Sequence, residues 1–217
     1  MNENFFKAPS PEREWVLGFI FADGCISLTK NIHFTLGLAQ KEPEILQKIK
    51  NLLQTEAPIK RINKTGCHIL RINNKKLVRD LLQFGLHPRK SLTIEYPENI
   101  KYHSHFIRGF FDGDGCVSLI RYQYTNKISL DKGDKIKLYR AITFHSASKQ
   151  FLIELCNHLP YVNPFKNHLR KEKGNCYRLG FYGKPFVEKI VEFLYKDSSD
   201  EIRLSRKYKR CVLQAEN

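Results

Sequence analysis

The sequence is short of acid. Its 22 Asp and Glu stand against 37 Lys and Arg, a formal charge of +15. Such an excess opposes compaction unless something negative meets it, and it favours nucleic acid over an anionic membrane surface as the partner. The first 104 residues hold 16 basic and 10 acidic residues, and the remainder hold 21 and 12. There is therefore no basic tail, and the positive surface belongs to the folded body. Long apolar runs are missing too. The stretch from Trp15 to Ala22 is eight residues, too short to span a bilayer. The opening MNENFFKAPS lacks the layout of a signal peptide. None of the six cysteines (Cys25, Cys67, Cys116, Cys156, Cys176, Cys211) forms a CxxC. That argues against a zinc ribbon and predicts buried free thiols in a reducing, intracellular compartment. What is present is enough to fold: 41% hydrophobic residues in 217 positions, sufficient for one core or two small fused units.

An internal repeat organises the chain. EWVLGFIFADGCISL (14–28) and HFIRGFFDGDGCVSL (105–119), aligned on Asp-Gly, share Gly18/Gly109, Phe19/Phe110, Asp23/Asp114, Gly24/Gly115, Cys25/Cys116, Ser27/Ser118 and Leu28/Leu119. After each come strand-like runs (32–39 and 138–147), an amphipathic helix (43–53 and 149–159), a basic hairpin (59–72 and 165–181) and a last helix (75–86 and 184–195). The turns Lys-Thr-Gly and Lys-Gly-Asn suit the hairpins, and Cys67 and Cys176 match. Four of the six cysteines are thus expected to fill equivalent core sites. The second half is longer, with an extended loop expected between Leu119 and Leu138. The reading is α+β: residues 1–100 and 101–217 as two units, each helix–strand–strand–helix–strand–strand–helix.

The repeated motif has a physical logic. Ser10-Pro11-Glu12 is a helix start, and Ser104 is the candidate cap for the second helix. Both helices run into Asp-Gly, where glycine permits a left-handed stop. Small residues four apart, Gly18 and Ala22, Gly109 and Gly113, let two helix backbones approach closely and bring Asp23 beside Asp114. Two carboxylates at the negative ends of two helix dipoles call for a cation. A hard divalent ion with oxygen ligands, Mg²⁺ above all, fits them. On a basic surface, such a site points to phosphodiester hydrolysis.

VLGFIFADG (16–24) and IRGFFDGDG (107–115) resemble the two motifs of a single-chain LAGLIDADG homing endonuclease, and the resemblance covers nearly the whole chain. The penultimate acid of each motif, Asp23 and Asp114, is then the metal ligand; whether the backbone at position 22 joins them is left open. The first motif has Phe21 where the second has Asp112, which is read as secondary. The family implies two pseudo-twofold-related αββαββα units with a two-helix interface and curved antiparallel sheets in the DNA major groove. It also implies a monomer cutting a long asymmetric double-stranded target with two or three divalent ions, Ca²⁺ or Mn²⁺ substituting in binding. Gln40, with repeat partner Ser146, matches a position that orders active-site water, a helix-start role being the alternative. Lys90 and Lys207, aligned through HPRKSL and LSRKYK, match the family's active-site lysines, with a plain phosphate contact as the alternative.

Strand alternation nominates DNA contacts: His33, Thr35, Arg61, Asn63, Arg71 and Asn73 in the first half, and Arg121, Gln123, Lys137, Tyr139, Lys166, His168, Arg170 and Arg178 in the second. Arg and Lys suit guanine, Asn and Gln adenine, and some will touch only phosphate. An active endonuclease promoting mobility of its own coding element is preferred over a non-cutting relative that binds DNA or intron RNA, because both motif acids are intact. A membrane-surface protein lacks the required amphipathic helix, and a zinc nuclease lacks cysteines paired with His103 and His105. No splice-junction residues stand at Met1 or Asn217, so a free-standing product is expected rather than an excised intein.

Overall fold

The computed structural model describes residues 1–29, 33–124, 135–160 and 169–212. The first helix, α1 (Pro11–Asp23), starts where the sequence says: Ser10 Oγ accepts from the Arg13 N–H (3.1 Å), with Pro11 in the first turn. It is apolar nearly all round and buried, as a helix enclosed by its own protein must be. There follow β1 (Gly24–Thr29), β2 (His33–Gln40), α2 (Pro43–Leu52), β3 (Ile59–Arg61), β4 (His68–Asn73) and α3 (Lys75–Gln83). The order then repeats: α4 (His103–Asp114), β5 (Gly115–Tyr124), β6 (Lys135–Ser146), α5 (Lys149–Asn157), β7 (Leu169–Lys171), β8 (Tyr177–Tyr182) and α6 (Lys184–Tyr195). A further helix, α7 (Ser205–Val212), was not foreseen. Each half is thus αββαββα, and the antiparallel sheets have matching strand orders, β1-β2-β4-β3 and β5-β6-β8-β7.

Register makes the repeat exact in space. Gly24 pairs with Leu38 and Gly115 with Phe144, so Gln40 and Ser146 are equivalent, as expected. Alternation sends Leu36, Leu38, Leu70 and Ile72, and Ile142, Phe144, Leu179 and Phe181, into the core. The two sheets meet α1 and α4 in a single apolar core that continues through rings of both halves: Phe21 lies against Phe106 (5.2 Å) and Phe151 (6.1 Å). The segment joining the halves is pinned by a buried ion pair. Arg13 donates to Glu14 and to the Asn99 carbonyl (3.1 Å), and Glu14 accepts from the Lys101 N–H (3.2 Å). Among the described residues no helix is long and apolar enough to cross a membrane.

Two local expectations need correction. Ser104 does not cap α4; the helix begins one residue earlier, at His103, with Tyr102 at the cap position. Gly24 and Gly115 are not left-handed. Both are extended (φ −75° and −86°) because each helix passes straight into a strand. Glycine is needed there for room instead: an added Cβ would lie 2.5 Å from the Ile20 or Phe111 carbonyl oxygen.

Candidate active site and nucleic-acid interface

The motif helices cross on glycine. A Cβ on Gly18 would sit 2.0 Å from the Phe106 carbonyl oxygen, and one on Gly109 would sit 2.0 Å from that of Trp15. Backbone therefore touches backbone across the pseudo-twofold, which only hydrogen side chains allow. Further along, a Cβ on Gly113 would meet Ala22 Cβ at 2.4 Å and Asp23 Oδ2 at 2.8 Å. The end of α4 thus lies against the end of α1, and the two half-buried carboxylates share one electrostatic site. Burial, and then the negative charge of Asp23, push the Asp114 carboxyl up to about 6; Lys90 and Lys207 pull the other way. Asp23 is also raised by burial, but the Gln40 side-chain amide donates to its Oδ2 (2.7 Å) and favours the carboxylate, as do Lys207 and Lys90. Gln40 therefore belongs to the site. Its counterpart Ser146 is buried and accepts from the Ser148 N–H (3.1 Å) instead. The two carboxylates are equivalent in backbone and unequal in environment.

Lys90, in a 3-10 turn at Lys90–Leu92, and Lys207, on α7, both reach this place. They are buried, 6% and 5% exposed, so a plain surface phosphate contact does not describe them. Lys90 Nζ donates to the carbonyls of Phe21 (2.5 Å) and Ala22 (3.3 Å). Lys207 Nζ donates to those of Phe111, Asp112 (2.8 Å) and Gly113 (3.0 Å). Each ammonium thus satisfies the orphan carbonyls of one motif helix and opposes the negative end of its dipole. Burial lowers both lysine pKa values, while Asp23 and Asp114 act to raise them.

Asp112 is more than a secondary motif acid. Its Oδ2 accepts from Trp15 Nε1 (2.8 Å), across the helix interface, and from the Leu204 N–H (3.0 Å) just before α7. Burial pushes its carboxyl up to about 6, and Oδ1 has no partner. It fixes the segment that delivers Lys207. Nearby, the fully buried Arg108 donates to the carbonyls of Ile202 (2.8 Å) and Leu194 (2.7 Å). The sole tryptophan of the chain was the sequence signal for this contact: a buried indole N–H needs an acceptor.

Among the described residues no three or more His, Cys, Asp or Glu side chains gather as a metal cluster. The donor set nevertheless fits a hard cation. Two oxygen ligands held close enough to raise proton affinity are set to exchange a proton for a divalent ion, with waters and phosphate oxygens completing its shell.

Of the nominated contacts whose side chains are described, Thr35, Arg71, Asn73, Arg170 and Arg178 lie on the outward sheet faces. Arg71 and Asn73 are exposed, and Thr35 Oγ1 meets Asn73 Oδ1 at 2.6 Å. Asn63 is exposed in the hairpin turn. Arg170 and Arg178 pair across β7 and β8 on the outward face. Two arginines are displaced by register. Arg61 pairs with His68, two residues before Leu70, and so lies on the helix-side face, while Lys60, opposite Ile69, takes the outward one. Arg121 shares the face of Val117 and Leu119. The side chains of His33, Gln123, Lys137 and Tyr139, and Lys166 and His168 altogether, lie outside the described residues, as do positions 125–134 of the expected loop. The cysteines also depart from expectation: Cys25 and Cys116 are exposed, and Cys67 and Cys176 half-buried; only Cys156 and Cys211 are buried. Cys25 and Cys116 follow a core-facing glycine, so alternation turns them outward.

Comparison with known proteins agrees with this geometry. Residues 10–84 match the LAGLIDADG-like domain family. A probable translation initiation factor IF-2 of Thermococcus kodakarensis is 28% identical over 130 residues, and that of Methanocaldococcus jannaschii is 28% identical over 131; each match covers 54% of this chain and 11% of the relative. The chain therefore spans about a tenth of the length of these relatives. Among solved structures, the LAGLIDADG meganuclease I-AabMI bound to uncleaved DNA superposes with a TM-score of 0.62 at 18% identity, over 92% of this chain and 87% of that one. The meganuclease I-SmaMI bound to uncleaveable DNA gives 0.60 at 18%, over 92% and 88%. The LAGLIDADG homing endonuclease I-LtrWI bound to its target gives 0.54 at 12%, over 96% and 87%. Residues 10–84 thus match a LAGLIDADG-like domain, and the chain over nearly its whole length has the two-domain fold of the LAGLIDADG meganucleases.

Proposed function

We propose that this protein is a site-specific DNA endonuclease that makes a Mg²⁺-dependent double-strand break in a long, asymmetric duplex and so promotes mobility of its own coding element. The observation that carries the reading is the carboxylate pair: Asp23 and Asp114 brought together where two glycine-crossed helices end, with burial and mutual repulsion raising Asp114 to about 6. These two residues would hold divalent ions, which when bound supply Lewis-acid stabilisation of the phosphate and lower the pKa of water. The chain's own groups do the rest. Gln40 orients the Asp23 carboxylate through its 2.7 Å hydrogen bond. Lys90 and Lys207, locked onto the helix-end carbonyls, set positive potential beside the scissile phosphate without having to move. The paired sheets, with Arg71, Arg170 and Arg178 on their outward faces, fit the two half-sites of a duplex. The solved relatives bound to DNA, I-AabMI and I-SmaMI, support duplex DNA as the partner.

The test is a cleavage screen on a large sequence library with Mg²⁺, using the parent, Asp23→Asn, Asp114→Asn and the double variant. The parent should cut a discrete site on both strands; the variants should bind that site and leave it intact. Cutting by the double variant refutes the two-carboxylate reading. Duplex binding by the parent with no cutting in Mg²⁺ or Mn²⁺ assigns the protein to a binding role.

A further inference from the structure

Aligned by the repeat, the equivalent strands β4 and β8 carry their outward arginines, Arg71 and Arg178, at different depths. Because β1 and β5 start directly after Asp23 and Asp114, residues Ala39 and His145 stand level with those carboxylates. Across the first sheet this inner row reads Ala39, Ile69, Lys60; across the second it reads His145, Arg178, Arg170. Two residues further out the pattern inverts. The first sheet places Arg71 there, and the second has Gly180, with the Tyr182 ring packed against it. Arg71 and Arg170 are exposed and have no hydrogen bond or ion pair among the described residues. Arg178 is oriented by Glu172, whose Oε1 lies 2.9 Å from its Nε, and His145 by Thr143 Oγ1 at 2.9 Å. A guanidinium held by a carboxylate is a rigid fork, suited to two acceptors on one base edge.

We infer that the two halves read guanine at different distances from the centre of the target. This rests on the proposal that the sheets face duplex DNA. The second half takes guanine beside the central base pairs through Arg178, with Arg170 and His145 flanking it. On its two central strands the first half offers Ala39 and Ile69 at that level, which suit a thymine methyl, with Lys60 on the edge strand placed for phosphate, and takes guanine through Arg71 further out. Two strand residues advance about 7 Å, and base pairs stack at about 3.4 Å, so the offset is about two base pairs. The asymmetry of the target thereby follows from strand register and not only from which residue types each half carries.

The test is selection of bound duplexes from a randomised library by the full chain in Ca²⁺, repeated with Arg71→Ala and Arg178→Ala, both melted beforehand to establish folding. The parent should recover guanine near the centre on one side and about two pairs further out on the other. Arg71→Ala should lose the outer guanine preference by on the order of 10- to 100-fold and keep the inner one; Arg178→Ala should do the reverse. The exchange Ile69→Arg with Arg71→Gly should move the first-half guanine inward. Guanines at equal depth, or a loss of affinity uniform across all sequences with a shallower salt dependence, overturn the inference while leaving DNA binding intact. Absence of any sequence preference by the parent overturns the functional proposal, and this inference with it.

Discussion

Substituting Gly109 by alanine isolates the feature on which the site depends. The added methyl carbon lies 2.0 Å from the Trp15 carbonyl oxygen, and ordinary contact begins at 3.4 Å, so α1 and α4 must separate by about 1.4 Å at their crossing. The obstacle is backbone, which cannot rotate away, so the cost belongs at the upper end of the roughly 1–3 kcal/mol of overpacking. Alanine returns about 1 kcal/mol of helix propensity over glycine. The net loss is about 2 kcal/mol, which lowers the Tm of a chain this size by roughly 4–8 °C. Activity should suffer beyond stability, because a displacement of about 1 Å at a reacting centre can cost on the order of 100-fold in rate. The measurements are thermal unfolding and single-turnover cleavage at a temperature where the variant is fully folded. Gly37→Ala is the stability control: its Cβ would meet only the Cys25 carbonyl oxygen, at 3.7 Å, and surface changes of this kind stay within about 0.5 kcal/mol. A Gly109→Ala protein that melts at or above the parent and cuts at the parental rate would refute the close-crossing argument.

Other predictions follow from the charges and thiols. Asp114 titrates at about 6 in the folded, metal-free protein against an ordinary 3.8, so its carboxylate is disfavoured by folding, and the stability it contributes at low pH is lost as pH rises through that value. Asp114→Asn should therefore gain more over the parent at pH 7.5 than at pH 5, measured by denaturant unfolding in chelator; an equal difference at both values sinks the assignment. By the same competition, Ca²⁺ should raise the parental Tm more at pH 7.5 than at pH 5. Cys25 and Cys116 are exposed on the outward faces and Cys156 and Cys211 buried, so N-ethylmaleimide should label the first pair in the free protein and spare the second. A bound target duplex should protect Cys25 and Cys116; labelling unchanged by DNA would mean that the duplex lies elsewhere.

The parts of this architecture legible in the sequence are those where one local rule dominates. Ser10 with Pro11 announced α1, and the repeated Gly-Phe and Asp-Gly announced the crossing and its carboxylates. Gln40 could be placed only through the family resemblance; the structure then sets it at the end of β2, where its amide reaches Asp23. Elsewhere tertiary context decided. Helix α7 reads SRKYKRCV, with few apolar residues to signal it, and depends on Leu204 being tied to Asp112 and on Ser205 bonding Glu44 at 2.5 Å. The faces of Arg61 and Arg121 turn on a one-residue register, which alternation in short or long hairpins leaves undetermined. The burial of Lys90 and Lys207 was illegible because a lysine among polar neighbours reads as surface; only the helix ends they serve explain it.

The helix interface also carries an instruction about assembly. Under the repeat, Trp15 corresponds to Phe106 and Phe21 to Asp112, yet the two equivalent contacts are of different kinds: an indole N–H bonded to a carboxylate on one side, two phenyl rings edge to face on the other. Two copies of the second half would set Asp112 against Phe106 and strand a buried carboxylate. Two copies of the first would leave the Trp15 donor facing Phe21. Each half is complete only with the other, so pairing of two identical halves is disfavoured for both, and separately expressed halves should recombine as a mixed pair.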